Sequence, residues 1–456
     1  MQTDLFDRMF SEEYLTQYFF SSLKNRNGGG RDLMSPKKWW ENNQETLQQI
    51  SAKCTNGQYR FAPYKEELIL KGRYQTPRCI SIPTIRDRLV LGVLNKYLQD
   101  AFGLKNFAAT PNEYVKAIKG CLNTTSDVPI HFLRTDITDF YNSISHQILL
   151  NKVKQKNIDD RAFTLIERAI KTPTLSLHQP KTEIGNERGV PQGLAISNIL
   201  ASLYMEDFDA HFLSQKGILL FKRYVDDILI LFSENRNFKK QLKQFLWLHK
   251  LNLFLSEEKT CCGMSNCDKI EYIGYVFKNK SVSIRLSNVN RHIQRLSHVI
   301  TSWKRALTDA TLRPPYLTNE DEVTIYYTEE LNELISGMKY ENVLYGWLPY
   351  FQEADDMSQY WQMDKILKRL LSHIKGVNYQ NIHSFVKSYY DIRQNSGCKY
   401  VRNYDSIKDV NEHKAFLSSR GKLSSTHYNE EQIDDIYQCY CRNRAKSMER
   451  HIGYFN

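Results

Sequence analysis

The stretch Leu219-Leu220-Phe221-Lys222-Arg223-Tyr224-Val225-Asp226-Asp227-Ile228-Leu229-Ile230-Leu231-Phe232 sets two adjacent aspartates between two apolar runs. That pattern reads as two short strands joined by a tight turn. Aspartate is a poor strand residue, so an Asp-Asp pair at the tip of an apolar hairpin is placed either for chemistry or as a solvated turn. Two neighbouring carboxylates repel unless something positive lies between them. A divalent cation satisfies that need, and hard oxygen ligands suit magnesium.

The rest of the chain limits the choice. At 456 residues it is long enough for several subdomains and a large core. Hydrophobic residues make up 41% and charged residues 25%, a composition of globular proteins. The net charge of +11 points to an anionic partner, with nucleic acid first among them. The 28 tyrosines interleave with Lys and Arg, a mixture suited to base stacking as well as to core packing. The nine cysteines, the lack of a signal-peptide pattern and the lack of an apolar run near 18 residues imply a reduced, cytoplasmic chain with no membrane span. Cys261, Cys262 and Cys267 cluster without the paired spacing of a zinc site.

Periodicity predicts helices over 4–25, 36–55, 84–101, 145–170, 193–214 and 237–250, and a mostly helical chain from about 289. Strands are expected at Tyr59–Phe61, Glu67–Leu70, Arg78–Ile82, Ile130–Asp136, Leu251–Leu255 and Tyr272–Phe277. The segment Asn27-Gly28-Gly29-Gly30-Arg31 reads as a linker or as a close backbone approach to phosphate. Residues 429–450 form a self-consistent amphipathic helix, with Asn429 as its cap and Ile433, Ile436, Tyr437 and Tyr440 as its apolar stripe. It is expected to pack on the body or on a partner.

A third carboxylate is needed if the hairpin holds two ions. Asp136 is the best candidate, at the end of the apolar strand. Two ions about 3.5–4 Å apart can activate a primer hydroxyl and stabilise a leaving pyrophosphate. Asp136-Ile137-Thr138-Asp139-Phe140-Tyr141, Gly189-Val190-Pro191-Gln192-Gly193 and Arg223-Tyr224-Val225-Asp226-Asp227 follow one another in the order and spacing of a reverse transcriptase palm. Arg78-Cys79-Ile80-Ser81-Ile82-Pro83 with Asp87-Arg88 resembles the fingers of group II intron and related bacterial reverse transcriptases. Leu255–Thr260 is similar to the block after the catalytic hairpin, Tyr272–Phe277 to the primer grip, and Tyr345–Phe351 with Asp364–Leu367 to the helical thumb. The resemblance spans residues 25 to 375.

The resemblance implies an α+β right-hand polymerase: fingers, a palm with an antiparallel sheet, a helical thumb and a C-terminal helical extension. The implied boundaries are an N-terminal helical extension at 1–60, fingers at 61–128 with part of 145–190, palm at 129–285, thumb at 286–378 and extension at 379–456. Asp136, Asp226 and Asp227 are expected to hold two Mg2+ ions, for which Mn2+ can substitute, with Asp227 the weaker ligand. Lys259 would protonate the departing pyrophosphate. Lys71, Arg73 and Arg78 would bind phosphates. The backbone N–H groups of Asp139 and Phe140 would face the triphosphate, and Gln192 would touch the incoming nucleotide. Tyr141 stands where the family has its sugar gate, a ring that would clash with a 2′-hydroxyl. Tyr272, Gly274, Arg291 and Arg295 are the expected nucleic-acid contacts, the arginines tracking a minor groove.

Some branches fit less well. The region near Thr110-Pro111-Asn112 lacks the intron Ser…Phe-Arg signature, and Gln192-Gly193-Leu194 replaces the intron Gln-Gly-Gly form. The sequence shows no Cys-His endonuclease cluster, no retron Val-Thr-Gly signature and no room for RNase H. The remaining likeness is to stand-alone abortive-infection or defence-associated reverse transcriptases. That implies an RNA-directed DNA polymerase acting against phage, with an RNA template or non-coding RNA, deoxynucleoside triphosphates and a DNA product. Template-independent or protein-primed synthesis by the same site, an intron maturase-like RNA-binding protein and a scaffold without catalysis are the competing readings.

Overall fold

The computed structural model describes residues 2–24, 28–43, 46–70, 76–103, 110–124, 130–180, 184–233, 236–278, 280–374, 377–395, 399–423, 427–450 and 452. They form two compact units, residues 1–109 with 130–263 and residues 110–129 with 264–455. The class is α+β, as the sequence implied.

The first unit has two sheets. Strands β1 (Tyr64–Ile69) and β2 (Arg78–Ile82) pair antiparallel. Strand β3 is His131–Asp136, and the two-residue β4 (Thr174–Leu175) runs parallel to β1. The larger sheet adds β5 (Ile218–Tyr224), β6 (Asp227–Phe232) and β7 (Cys261–Met264), in the order β5-β6-β3-β7. The β6 strand is antiparallel to both β5 and β3. All six β6 residues are buried, which is why its apolar run is continuous rather than alternating.

Helix Ser197–Leu213 lies in the same core, burying Ile199, Leu200, Tyr204, Phe208 and Phe212. Helix Ile85–Ala101 begins at Thr84, whose side chain accepts from the Asp87 N–H, and the expected stripe of Val90, Val93, Leu94, Tyr97 and Leu98 is buried.

Sequence periodicity erred where burial came without a ladder. Tyr59–Phe61 is not a strand. Tyr59 is instead a core residue, its hydroxyl donating to the fully buried Asp87 carboxylate at 2.7 Å. Leu251–Leu255 is irregular chain, broken by Asn252 at φ of 54°, with one bridge, Ile137 to Leu255. The 145–170 helix is two helices, His146–Gln155 and Asp160–Lys171, the second capped by Asp159. The glycine loop has a packing role: a Cβ on Gly30 would come within 2.6 Å of the Thr84 nitrogen, so glycine lets it close against the β2–helix junction. Asn27 lies outside the described residues.

In the second unit, β8 (Ile270–Tyr272), β9 (Tyr275–Lys278) and β10 (Ser281–Ile284) form an antiparallel meander. The single strand expected at Tyr272–Phe277 is split. Ile273 and Gly274 take φ of 41° and 86°, and a two-residue turn with both central residues at positive φ reverses the chain. Helices Leu286–Thr308, Glu320–Ser336, Met357–Leu371 and Phe385–Asn395 follow. A small sheet interrupts them, made of β11 (Met338–Tyr340), β12 (Val343–Tyr345) and β13 (Arg402–Asn403). Helix Pro111–Thr124 belongs to this unit, where Lys119 pairs with Asp355.

Helix Glu430–Arg450 packs against β11, β12 and helix Val410–Ser419. Asn429 caps it, accepting from the Gln432 N–H at 2.8 Å while its own N–H donates to the Gln432 side chain at 3.1 Å. Ile433 and Tyr437 are buried, Ile436 and Tyr440 half-buried. Among the described residues no helix is long and apolar enough to cross a membrane.

Candidate active site

Pairing of β3 with β6 puts Asp136 directly opposite Asp227, and Tyr224 closes the hairpin opposite Asp227 on the other side. Val225 and Asp226 are the two turn residues. Val225 has φ of 59°, a conformation that β-branched residues rarely adopt, at a cost of order 1–3 kcal/mol. Two contacts hold the turn in that state. The Ile137 N–H donates to the Asp226 carbonyl at 3.0 Å, and Arg223 donates from Nη1 to the Val225 carbonyl at 2.8 Å. Arg223 also donates from Nε to Asp209 on helix Ser197–Leu213 at 2.7 Å.

Like charges opposite one another on a sheet are unfavourable, so the Asp136–Asp227 pairing needs compensation. It comes from two cations. Arg134, two residues before Asp136 on the same strand face, grips both oxygens of Asp227, Nε to Oδ1 and Nη2 to Oδ2, each at 3.0 Å. Lys259 pairs with Asp136. The loop carrying Lys259 is tied to β3: the Ser256 N–H donates to the Asp136 carbonyl at 2.7 Å, and Thr260 and Thr135 join hydroxyls at 2.7 Å. Asp226 is pushed up to about 6, first by burial, then by the charge of Asp136 and, more weakly, that of Asp227.

Among the described residues no three His, Cys, Asp or Glu side chains are already converged on a metal position. Arg134 and Lys259 are paired with two of the three carboxylates, Asp227 and Asp136. The donor chemistry still fits a hard cation: Asp136 and Asp226 are close enough for one charge to resist ionisation of the other.

Breaking the Arg134–Asp227 pair has a measurable consequence. Both side chains are largely buried, at 17% and 12% exposure. Arg134→Met is expected to lower stability by about 2–4 kcal/mol in urea unfolding. Adding Asp227→Asn should recover part of the loss, giving a non-additive cycle.

Tyr141 lies on the short helix Phe140–Ser143, entered through Asp139 at φ of 48°. Its hydroxyl donates to Asn198 Oδ1 at 2.6 Å. Burial, then the charge of Asp226, keeps that hydroxyl protonated well beyond its ordinary range, while Arg78 and Arg223 act in the opposite sense. Tyr141, Asp226 and Arg78 therefore share one electrostatic neighbourhood. Phe140 is buried, and no acceptor is found among the described residues for the N–H groups of Asp139 and Phe140.

Gln192 is half-buried, and its carbonyl accepts from the Ser81 N–H on β2 at 2.7 Å. Next to it Gly193 has φ of 101°, and a Cβ there would meet Ile80 Cγ2 at 2.7 Å, so only glycine lets this loop close on β2. Lys71 and Arg73 lie outside the described residues.

The expected nucleic-acid contacts are unevenly placed within the second unit. Gly274 is in the β8–β9 turn, but the Tyr272 ring is wholly buried and offers no surface to a strand. Arg291 is exposed. Arg295 is half-buried beside helix Glu430–Arg450, donating to Ser447 at 3.4 Å, and burial followed by the Arg444 charge lowers it to about 10. Sequence reasoning missed Arg134, Asn198, Arg223 and the Thr135–Thr260 tie. Only Arg134 carried a local signal, its i, i+2 relation to Asp136.

Residues 69–277 match the family described as "Reverse transcriptase (RNA-dependent DNA polymerase)". Among curated relatives, Protein YkfC of Escherichia coli K12 is 23% identical over 36% of this chain. An uncharacterized 91 kDa protein in the cob intron of Schizosaccharomyces pombe is 25% identical over 36% of it. The chain spans 45% of the first relative's length and 20% of the second's. Among solved structures, telomerase from Candida albicans in complex with a telomeric RNA fragment aligns over 92% of this chain and 69% of its own, with TM-score 0.42 and 13% identity.

Proposed function

We propose that this chain, with its reverse transcriptase match at residues 69–277, is an active RNA-directed DNA polymerase, with the β5-β6-β3-β7 sheet in its palm, the β1–β2 region in its fingers and the helices within 286–378 in its thumb. The observation that carries this reading is the meeting of Asp136 with the Asp226–Asp227 turn at the ends of β3 and β6, beside Tyr141 and within the electrostatic reach of Arg78. Asp136 and Asp226 would hold magnesium, with Asp227 as support through its Arg134 clamp. A bound ion pair supplies activation of a primer hydroxyl and neutralisation of pyrophosphate charge.

The chain's own groups do the rest. Arg78 can fork onto two phosphate oxygens. Gln192, whose main chain is held by Ser81, would touch the incoming nucleotide. Lys259 is 60% exposed, so it can leave Asp136 and deliver a proton to a departing pyrophosphate. Of the two thumb arginines, Arg291 remains the candidate for a duplex backbone. The resemblance to defence-associated reverse transcriptases supports an anti-phage role with a non-coding RNA partner, and the composition supports a cytoplasmic location.

The test is primer extension by the purified chain on an RNA template with deoxynucleotides. Extension is expected with Mg2+, stopping with EDTA and resuming when Mg2+ or Mn2+ is restored. Product sequencing separates templated copying from untemplated addition. Folded protein that extends no primer and makes no product would reject the assignment.

A further inference from the structure

We propose that Asn198 is a positioning residue for sugar selection: its side-chain carbonyl holds the Tyr141 hydroxyl and so fixes the ring that excludes ribonucleotides. The inference rests on the polymerase reading and names a second residue behind its substrate choice.

Three observations carry it. First, the Tyr141 hydroxyl lies 2.6 Å from Asn198 Oδ1, at the short end for an O–H···O bond. Second, the Tyr141 backbone is already fixed. The Val190 N–H donates to the Tyr141 carbonyl and the Gly189 N–H to the Ile144 carbonyl, both at 2.8 Å. Packing on Phe140 and the core already limits side-chain rotation, and a bond at the ring's far end restricts it further.

Third, Asn198 stands on a braced support. It is the second residue of helix Ser197–Leu213, and Ser197 Oγ donates to the Pro191 carbonyl at 2.5 Å. The same loop is tied to β2 through Gln192. One segment therefore carries Gln192 and steadies Tyr141. A steric gate works only if the ring cannot turn aside. A ring tethered at its hydroxyl as well as packed on Phe140 resists a 2′-hydroxyl, whereas one held by packing alone can yield more readily.

The experiment measures kcat/KM for dNTP and for rNTP in wild type, Asn198→Leu, Tyr141→Phe and the double variant, with melting curves as a folding control. Each single variant is expected to lower the dNTP-to-rNTP preference by roughly 3- to 10-fold, read as the ratio of the two kcat/KM values. The double variant should lose no more than either single, because both remove the same bond.

A merely structural bond would depress both substrates together and leave the ratio unmoved. An unchanged ratio, or additive losses, overturns the role of Asn198. If Asn198→Leu misfolds, Tyr141→Phe alone decides, since it keeps the ring and removes only the donor. Absence of all incorporation by wild type would instead overturn the polymerase reading, and this inference with it.

Discussion

Asp226→Asn and, separately, Asp136→Asn are each expected to reduce nucleotide incorporation by roughly a thousandfold or more, about 4 kcal/mol of transition-state stabilisation. The two carboxylates come from chain segments about ninety residues apart and are brought near each other by the β3–β6 register, and the carboxylate beside them, Asp227, is already engaged by Arg134. Loss of fold does not explain the expected result. Burial and the Asp136 and Asp227 charges oppose ionisation of Asp226, so neutralising it relieves repulsion, and Asp226→Asn should melt at or above the wild-type temperature.

A second measurement separates the ligand role from general damage. Mg2+ should raise the melting temperature of wild type and have little effect on Asp226→Asn, because a ligand stabilises only the state that binds it. Asp227→Asn is expected to be milder, since Arg134 already engages both oxygens of that carboxylate. A wild-type rate from pure Asp226→Asn would remove the site from this hairpin.

The aspartate-tipped hairpin was legible because its signal is local. An apolar run bounded by a carboxylate reads as a strand with an acidic tip: β3 ends at Asp136, and β6 starts at Asp227. What surrounds the tip was not legible. Arg134 reaches Asp227 across a strand pair, and which residue faces which depends on a register that composition does not fix. Asn198 meets Tyr141 over a separation of 57 residues.

Aromatic content misled at Tyr59–Phe61, since a ring is equally at home in a strand or against a buried carboxylate such as Asp87. The β11–β12 hairpin escaped notice because its strands have three residues each. Its turn also uses Glu341 and Asn342 at φ of 50° and 60° where a glycine would have announced it. Arg295 looked like a surface cation because helical spacing shows which residues share a face, not what covers that face. Helix Glu430–Arg450, some 150 positions later, covers it.

That helix supplies the second large expected effect. Glu333, on helix Glu320–Ser336, is 2% exposed and accepts from Arg444 Nε at 2.7 Å and from the Tyr404 hydroxyl at 2.5 Å. Arg402 approaches it at 3.7 Å. One turn back, Glu330 pairs with Arg444 at 2.9 Å and Arg420 at 3.5 Å, and Glu329 with Arg402 at 2.8 Å. Three glutamates of one helix thus face three arginines from the segment after residue 400, where the sequence shows no motif. Burial alone would raise the Glu333 carboxyl, but Arg444, then Arg402 and the Tyr404 hydroxyl, hold it below its usual range.

Glu333→Ala leaves buried guanidinium charge without its main partner and is expected to cost about 3–5 kcal/mol. The loss should show in hydrogen exchange as lost protection along 430–450, with the β3–β6 ladder unchanged. Because the folded carboxyl is depressed, its contribution is complete above the unfolded value, near 4.3, and fades as pH falls through the folded one. Wild type should therefore lose stability in that acid range more steeply than Glu333→Ala. Equal protection of 430–450 in variant and wild type would mean that apolar packing by Ile433, Tyr437, Cys441 and Met448 holds the helix unaided.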